Sequence, residues 1–374
     1  MRASLLLAVV ATTFALLVLE VALRGVERFT SVDFFHVALG AATTTPDSEL
    51  RLIDLIRLSD DPELIYELAA GLRGRFMGAP LATDAQGMRV PASGPAPEGA
   101  LRIVGIGDSH TFGWGVLWEE TFLVRLAERF REEHPDAPGV SVWNLAVPGY
   151  NTAQEAEVLA RKALPLAPAL VVLLASRNDA GLANFIRAPR DSWSLERSYL
   201  VDLVEIRVKH LLRAEGFRNR FLQRGLARTR DAVGESFLHG VGEAELAGVP
   251  AELRHMAGFE AVDRALDRIA EIAGANALPV VLAFYEEPGD TPLRARMHAR
   301  AAALGMAVAD LATPLATHLA RSGDARSALY LSESDPHPTP LHHRLIADGL
   351  YEQHVRAILE AAARRVAARS STQN

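Results

Sequence analysis

The sequence predicts an α/β protein: a flavodoxin-like, doubly wound parallel sheet of about five strands, with a helical insertion and one N-terminal transmembrane helix. Three observations predict it. From Leu101 onward, short apolar runs alternate with stretches of helical periodicity. Such runs suit parallel strands buried on both faces. Between about residues 180 and 258 the alternation lapses and the chain turns charged and helical. Ahead of both, Ala3 to Leu19 carries no charged residue.

The elements follow in order. The uncharged run, extended by Val21 to Leu23 with Glu20 at an interface, is long enough to cross a hydrocarbon core of about 30 Å. No small-x-small cleavage pattern closes it, so residues 1–28 read as an uncleaved anchor. Arg2 lies on one side and Arg24 and Arg28 on the other, nearly balancing the positive-inside rule. The expected topology puts the body outside the cytoplasm. Residues 29–100 read as a stem and linker. Within them Ser59 to Gly78 is expected as a short helix and a glycine-punctuated turn, and Pro91 to Ala100 as an exposed connector.

The main domain is expected over 101–368. Its strands are "LRIVGIG" from Leu101, "VSVWNLA" from Val140, "ALVVLLAS" from Ala169, "LPVVLAFY" from Leu278 and "MAVADL" from Met306. Its helices cover Glu119–His134, Asn151–Leu164, Phe259–Gly274, Pro292–Gly305 and a long last stretch from Pro340 to about Ala368. Asn151 or Thr152 is placed to cap the second of these. Residues 369–374 read as a disordered tail. The insertion, 180–258, is expected as a helical cap near the carboxyl edge of the sheet, where such folds bind ligands.

Composition excludes several functions. The net charge of −7 leaves no basic surplus for phosphates, so nucleic acid is not an expected partner. The local arginine cluster from Arg207 to Arg230 reads as a solvated helical face. Cysteine is absent, which removes disulfides, thiol nucleophiles and cysteine metal sites.

Chemistry concentrates at strand ends. Ser109, two residues past Gly107, stands where the first strand must give way to a turn, with its amide in that turn. A serine hydroxyl needs a base. Asp335 and His337, two residues apart in a proline-restricted loop, supply an imidazole and a carboxylate to fix its tautomer. "NLAVPGYNT" follows the second strand and offers the Gly149 amide. "LLASRNDA" follows the third and offers the Asn178 side chain. With the Ser109 amide, these make a three-donor oxyanion hole. Asp108 is expected to cap local amides, and His110 to point away from the Ser109 side chain. Asp179 reads as loop support for Asn178. His343 is expected to anchor a helix start by a buried hydrogen bond. Tyr285, Glu286 and Glu287 mark a rim. His337, His342 and His343 do not put three ligands on one face, so neither metal nor cofactor is expected.

"GDSHTFGWGV", "NLAVPGYNT", "SRND" and "DPHPTPLHHRLIADGL" together resemble the four blocks of the SGNH/GDSL hydrolase superfamily, over roughly residues 101–365. The stem and anchor are similar to a membrane-anchored branch of it. The resemblance implies Ser109 as nucleophile, His337 as base, Asp335 as its acid, and Gly149 and Asn178 in the oxyanion hole. Three positions depart from the family pattern: Ser176 and His342 replace glycines, and Thr339 replaces an asparagine. The implied function is a serine esterase acting through an acyl-enzyme on an acylated small molecule, glycan or lipid, held at the membrane by its first helix. Two alternatives share the sequence: an O-acyltransferase with the same residues, and a non-catalytic envelope binding or scaffold protein.

Overall fold

A computed structural model describes residues 2–29, 47–94, 99–187, 198–201, 226–239, 243–285 and 292–371. The chain divides into two compact units, residues 1–43 with 187–226 and residues 44–186 with 227–374.

The second unit is built on one sheet. Five of its strands, Leu101–Gly107, Val140–Asn144, Leu170–Ala175, Val280–Phe284 and Ala307–Ala309, pair in parallel. Their spatial order, second–first–third–fourth–fifth, is that of a flavodoxin-like sheet. The Leu170–Ala175 strand is central and every residue in it is buried. Helices cover both faces. The Phe122–Glu133 helix buries Phe122, Leu123, Leu126, Ala127 and Phe130, a stripe at helical spacing, in the same core as Leu101, Ile103, Val172 and Leu174. The last helix runs from Pro340 to Ser371 with a π-turn at Tyr351–Val355, so the residues expected as a tail begin in helix. An unexpected helix, Ala312–Ser322, fills the gap before the Asp335–His337 loop.

The stem is the main difference from the sequence reading. Four strands, Glu49–Leu50, Arg73–Phe76, Ala79–Thr83 and Arg89–Val90, extend the same sheet to nine strands, joined through Arg89 to Asn144. Ser59–Gly78, expected as helix and turn, holds turns and two short strands, Tyr66–Leu68, which pairs antiparallel with Ile56–Leu58, and Arg73–Phe76. Ile65 at φ 64 interrupts any helix there. The physical reason is burial. Tyr66 and Leu68 have homes in the core, and Tyr66 donates to the Pro148 carbonyl at 2.9 Å.

Arg89 ties this extension to the main domain. Its guanidinium is buried and donates to the carbonyls of Phe112 and Gly113 at 2.5 Å each and of Val116 at 2.7 Å. Burial pulls its pKa down to about 10, which still leaves it charged at neutral pH.

Within the first unit, the Arg2–Phe29 helix is apolar enough over Leu6–Gly25 to cross a membrane, by length and composition. Its Glu20 carboxylate pairs with Arg24 and accepts from the Tyr199 and Leu200 amides at 2.9 Å each. The described part of the insertion adds no strand to the main sheet; Phe185–Arg187 and Leu226–Arg228 form a separate ribbon. Most of the arginine cluster lies outside the described residues.

Two outcomes follow from Arg89 and its strands. Arg89→Met should cost about 3 kcal/mol in urea unfolding, because three buried carbonyls lose their donor. A chain starting at residue 99 should lose its cooperative thermal transition, whereas one starting at residue 47 should keep it.

Candidate active site

Ser109 opens a single helical turn, Ser109–Phe112, at the carboxyl end of the first parallel strand. Asp108 caps that turn as the sequence reading expects, accepting from the His110 amide at 2.9 Å. The same carboxylate also accepts from the His110 imidazole at 2.8 Å and from the Ser176 hydroxyl at 3.0 Å. Burial alone would raise its pKa, but His110 holds it below the usual carboxylate range.

The loop ahead of the last helix carries Asp335 and His337 to Ser109. Tyr330–Ser332 and Asp335–Pro338 pair as a short ribbon, and Thr339 then caps the Pro340 helix. The capping threonine occupies the position of the family asparagine. His337 Nε2 lies 2.8 Å from Ser109 Oγ, and its Nδ1 lies 2.5 Å from Asp335 Oδ1. The hydrogen bond from His337 keeps the Asp335 pKa low. Burial pulls the His337 pKa below its ordinary 6.5, although Asp335 works against that shift. The imidazole is therefore neutral at pH 7, with one nitrogen free to take a proton.

Two rings stack on His337. Trp114 lies flat on one face, with centroids 4.5 Å apart and planes 7° apart. His110 stacks on it at 5.1 Å, and Tyr285 packs against His110 at 4.1 Å. Tyr285 also donates to the Pro336 carbonyl at 2.7 Å. His110 thus points away from Ser109 Oγ, toward Asp108, and reaches the base by ring contact. Sequence spacing shows none of this column, though the aromatic residue in "GWG" is its one visible sign.

Gly149 and Asn178 lie past the ends of the neighbouring strands. Gly149 has φ +80, and a Cβ there would stand 2.2 Å from Asn184 Nδ2, so glycine is required by this approach. Asn178 sits on the Arg177–Ala180 turn, with its amide nitrogen 3.4 Å from the Tyr150 carbonyl. Its Oδ1 meets the Ser176 hydroxyl. The serine that departs from the family glycine therefore stands between Asn178 Oδ1 and Asp108, two acceptors for its single hydroxyl hydrogen.

Asp179 pins this turn, accepting from the Ser176 amide at 2.5 Å and the Thr152 hydroxyl at 2.6 Å. Behind it stands Glu155, which the sequence reading left on an ordinary helix. Glu155 is fully buried, and its carboxyl faces Asp179, to which it hydrogen-bonds once one of the two acids holds a proton. Burial, then the charges of Asp179 and Asp108, push its pKa well above the usual range. Burial and Asp108 push Asp179 up to about 7.

The two histidines in the first turns of the Pro340 helix serve the scaffold. His343 Nδ1 accepts from the Phe122 amide at 3.4 Å, at the start of the Phe122–Glu133 helix. Burial takes His342 down to about 4, and it packs on Tyr285. Among the described residues no group of three or more His, Asp or Glu could hold a metal. Glu286 and Glu287 lie outside the described residues.

Residues 106–345 match the GDSL-like Lipase/Acylhydrolase family. No curated protein sequence matches the chain. Among solved structures, an acetylxylan esterase from Geobacillus stearothermophilus is 11% identical with TM-score 0.39, covering 68% of this chain and 94% of its own. A protein from Desulfitobacterium hafniense DCB-2, assigned to the G-D-S-L lipolytic family, is 15% identical with TM-score 0.39, covering 68% and 98%. An α/β hydrolase from the metagenome of Lake Arreo, Spain, is 14% identical with TM-score 0.38, covering 70% and 96%.

The buried acids give the fold a pH dependence of definite sign. Glu155 and Asp179 hold protons in the folded chain that they release when unfolded, so their stabilising contribution is full below about pH 4. It is lost as pH rises, for Asp179 through about 7. Glu155→Gln removes one acid and offers Asp179 an amide donor. The variant's Tm relative to wild type should therefore rise between pH 5 and pH 8. A difference that stays constant with pH would mean the pair does not titrate.

Proposed function

Because the chain belongs to the GDSL-like lipase/acylhydrolase family, and so is a hydrolase of ester bonds, we propose that Ser109 is its nucleophile. The observation that carries this is the unbroken hydrogen-bonded series Ser109–His337–Asp335. Ser109 Oγ attacks the ester carbonyl as His337 Nε2 takes its proton. Asp335 steadies the imidazolium and fixes the tautomer. The face of Trp114 adds a cation–π contact to the charged ring.

The tetrahedral oxyanion is held by the Ser109 and Gly149 amides and the Asn178 side chain. Ser109 supplies a first-turn amide, which has no partner within its helix. The Asn178 contact with Tyr150 is long, at 3.4 Å, and can be exchanged for a stronger bond to an oxyanion. His337 returns the proton to the departing alcohol, and water activated by the same ring releases the acid. The N-terminal helix anchors the enzyme with its body outside the cytoplasm, and the substrates in reach there are O-acylated glycans or lipids.

Hydrolysis of a nitrophenyl acetate by the purified chain is the test. Ser109→Ala and His337→Ala should each lower kcat by about 10,000-fold, with Tm little changed. Activity requires neutral His337, so the rate should rise with pH along a limb centred below the ordinary 6.5. A folded wild type that hydrolyses no ester would favour the non-catalytic reading.

A further inference from the structure

The hairpin of Arg73–Phe76 and Ala79–Thr83 lies ahead of the family match yet packs on Trp114, the ring that lies on His337. Phe76 pairs with Ala79, so Met77 and Gly78 alone close the turn. Both have positive φ, 50 at Met77 and 80 at Gly78. This is a type I′ geometry, where Asn-Gly or Asp-Gly is preferred and a methionine is disfavoured. Turn chemistry therefore does not select Met77. Core packing does not select it either, since its side chain is 50% exposed.

Its surroundings give the reason. A Cβ built on Gly115 would stand 3.5 Å from Met77 Cβ and 2.8 Å from Leu331 Cδ1, so both side chains flank this glycine. Gly115 follows Trp114, the ring that lies on His337. Phe76, next to Met77, packs its ring edge-to-face with Trp114 at 4.6 Å. Leu331 belongs to the strand that pairs with Asp335–Pro338. Met77 and Leu331 thus flank the glycine that follows Trp114, an apolar shelf that meets His337 through the Trp114 ring.

The reaction decides which half of an ester meets that shelf. His337 Nε2 must deliver its proton to the leaving alcohol oxygen, which places the alcohol on the His337 side. The carbonyl oxygen points instead to Ser109, Gly149 and Asn178. We propose that Met77, with Leu331, determines specificity for the alcohol half of the substrate and favours alcohols that are apolar over their first carbons. This rests on the esterase reading above. A flexible, polarizable thioether suits a wall that must fit chains of varied shape. The step balances within the site: the bond from carbonyl carbon to alcohol oxygen breaks, the bond to Ser109 Oγ forms, and the serine proton leaves on the alcohol.

Ethyl, butyl and hexyl acetates, given to the full chain, test it. All three pass through one acetyl-enzyme, so differences in kcat/KM report the alcohol alone. Met77→Asn suits the turn and should leave Tm unchanged or higher. The same variant should lower the hexyl-to-ethyl ratio of kcat/KM about tenfold, the loss of roughly two buried methylenes. Met77→Leu should restore most of that ratio. For nitrophenyl esters the octanoate-to-acetate ratio should not move. An unchanged hexyl-to-ethyl ratio in a folded Met77→Asn chain would overturn the proposal, as would a shift confined to the nitrophenyl acyl series. Wild type that hydrolyses neither series would instead overturn the esterase reading, and this proposal with it.

Discussion

A buried negative charge beside Ser109 organises the candidate site. Asp108 has almost no contact with solvent, so its charge must be met by protein donors. His110 and Ser176 meet it. Each of those partners then does a second thing. His110 stacks on the base, and Ser176 reaches Asn178. The charge also pushes up the pKa values of Asp179 and Glu155, which keeps protons in a cluster that would otherwise hold three anions in low dielectric. One carboxylate thus couples the Ser109 turn, His337 and the Asn178 turn.

The N-terminal strands complete what Asp108 begins. The Ser109 turn is only four residues long and too short to hold its own shape. Arg89 fixes the carbonyls that follow it, and Phe76 packs against Phe112 and Trp114. Tyr66 does the same for the Gly149 loop, donating to Pro148 while Tyr150 donates back to the Tyr66 carbonyl. A region outside the family match therefore braces the strand ends that carry Ser109 and Gly149.

The sequence made the parallel core legible because its strands are continuous apolar runs, which are buried on both faces and have few other readings. Asp335 and His337 were legible because they are two residues apart. The short extending strands were not. Glu49–Leu50 and Arg89–Val90 are two residues each, which no period can mark, and the pairings of Glu49 with Arg75 and of Arg89 with Asn144 are not local. Glu155 was missed for another reason. It lies on a helix whose Thr152, Gln154 and Glu157 are also buried, and helical spacing does not mark a side of polar residues as an interior one. The stacking of Trp114, His337 and His110 joins residues more than 220 positions apart, a relation only the fold supplies.

These facts imply a division of labour along the chain. The groups that would make and break bonds stand at the ends of parallel strands, where backbone geometry alone brings Ser109, Gly149 and Asn178 to one edge. Their positions are insensitive to surface change because the strands are packed on both faces. The shelf at Met77 has the opposite character. It hangs on a two-residue turn whose backbone needs only positive φ, and its side chain is half free of the core. Substitution there alters neither the sheet nor the Asp108 cluster. Specificity can therefore change at the hairpin while the chemistry stays fixed, because different physical constraints hold the two in place.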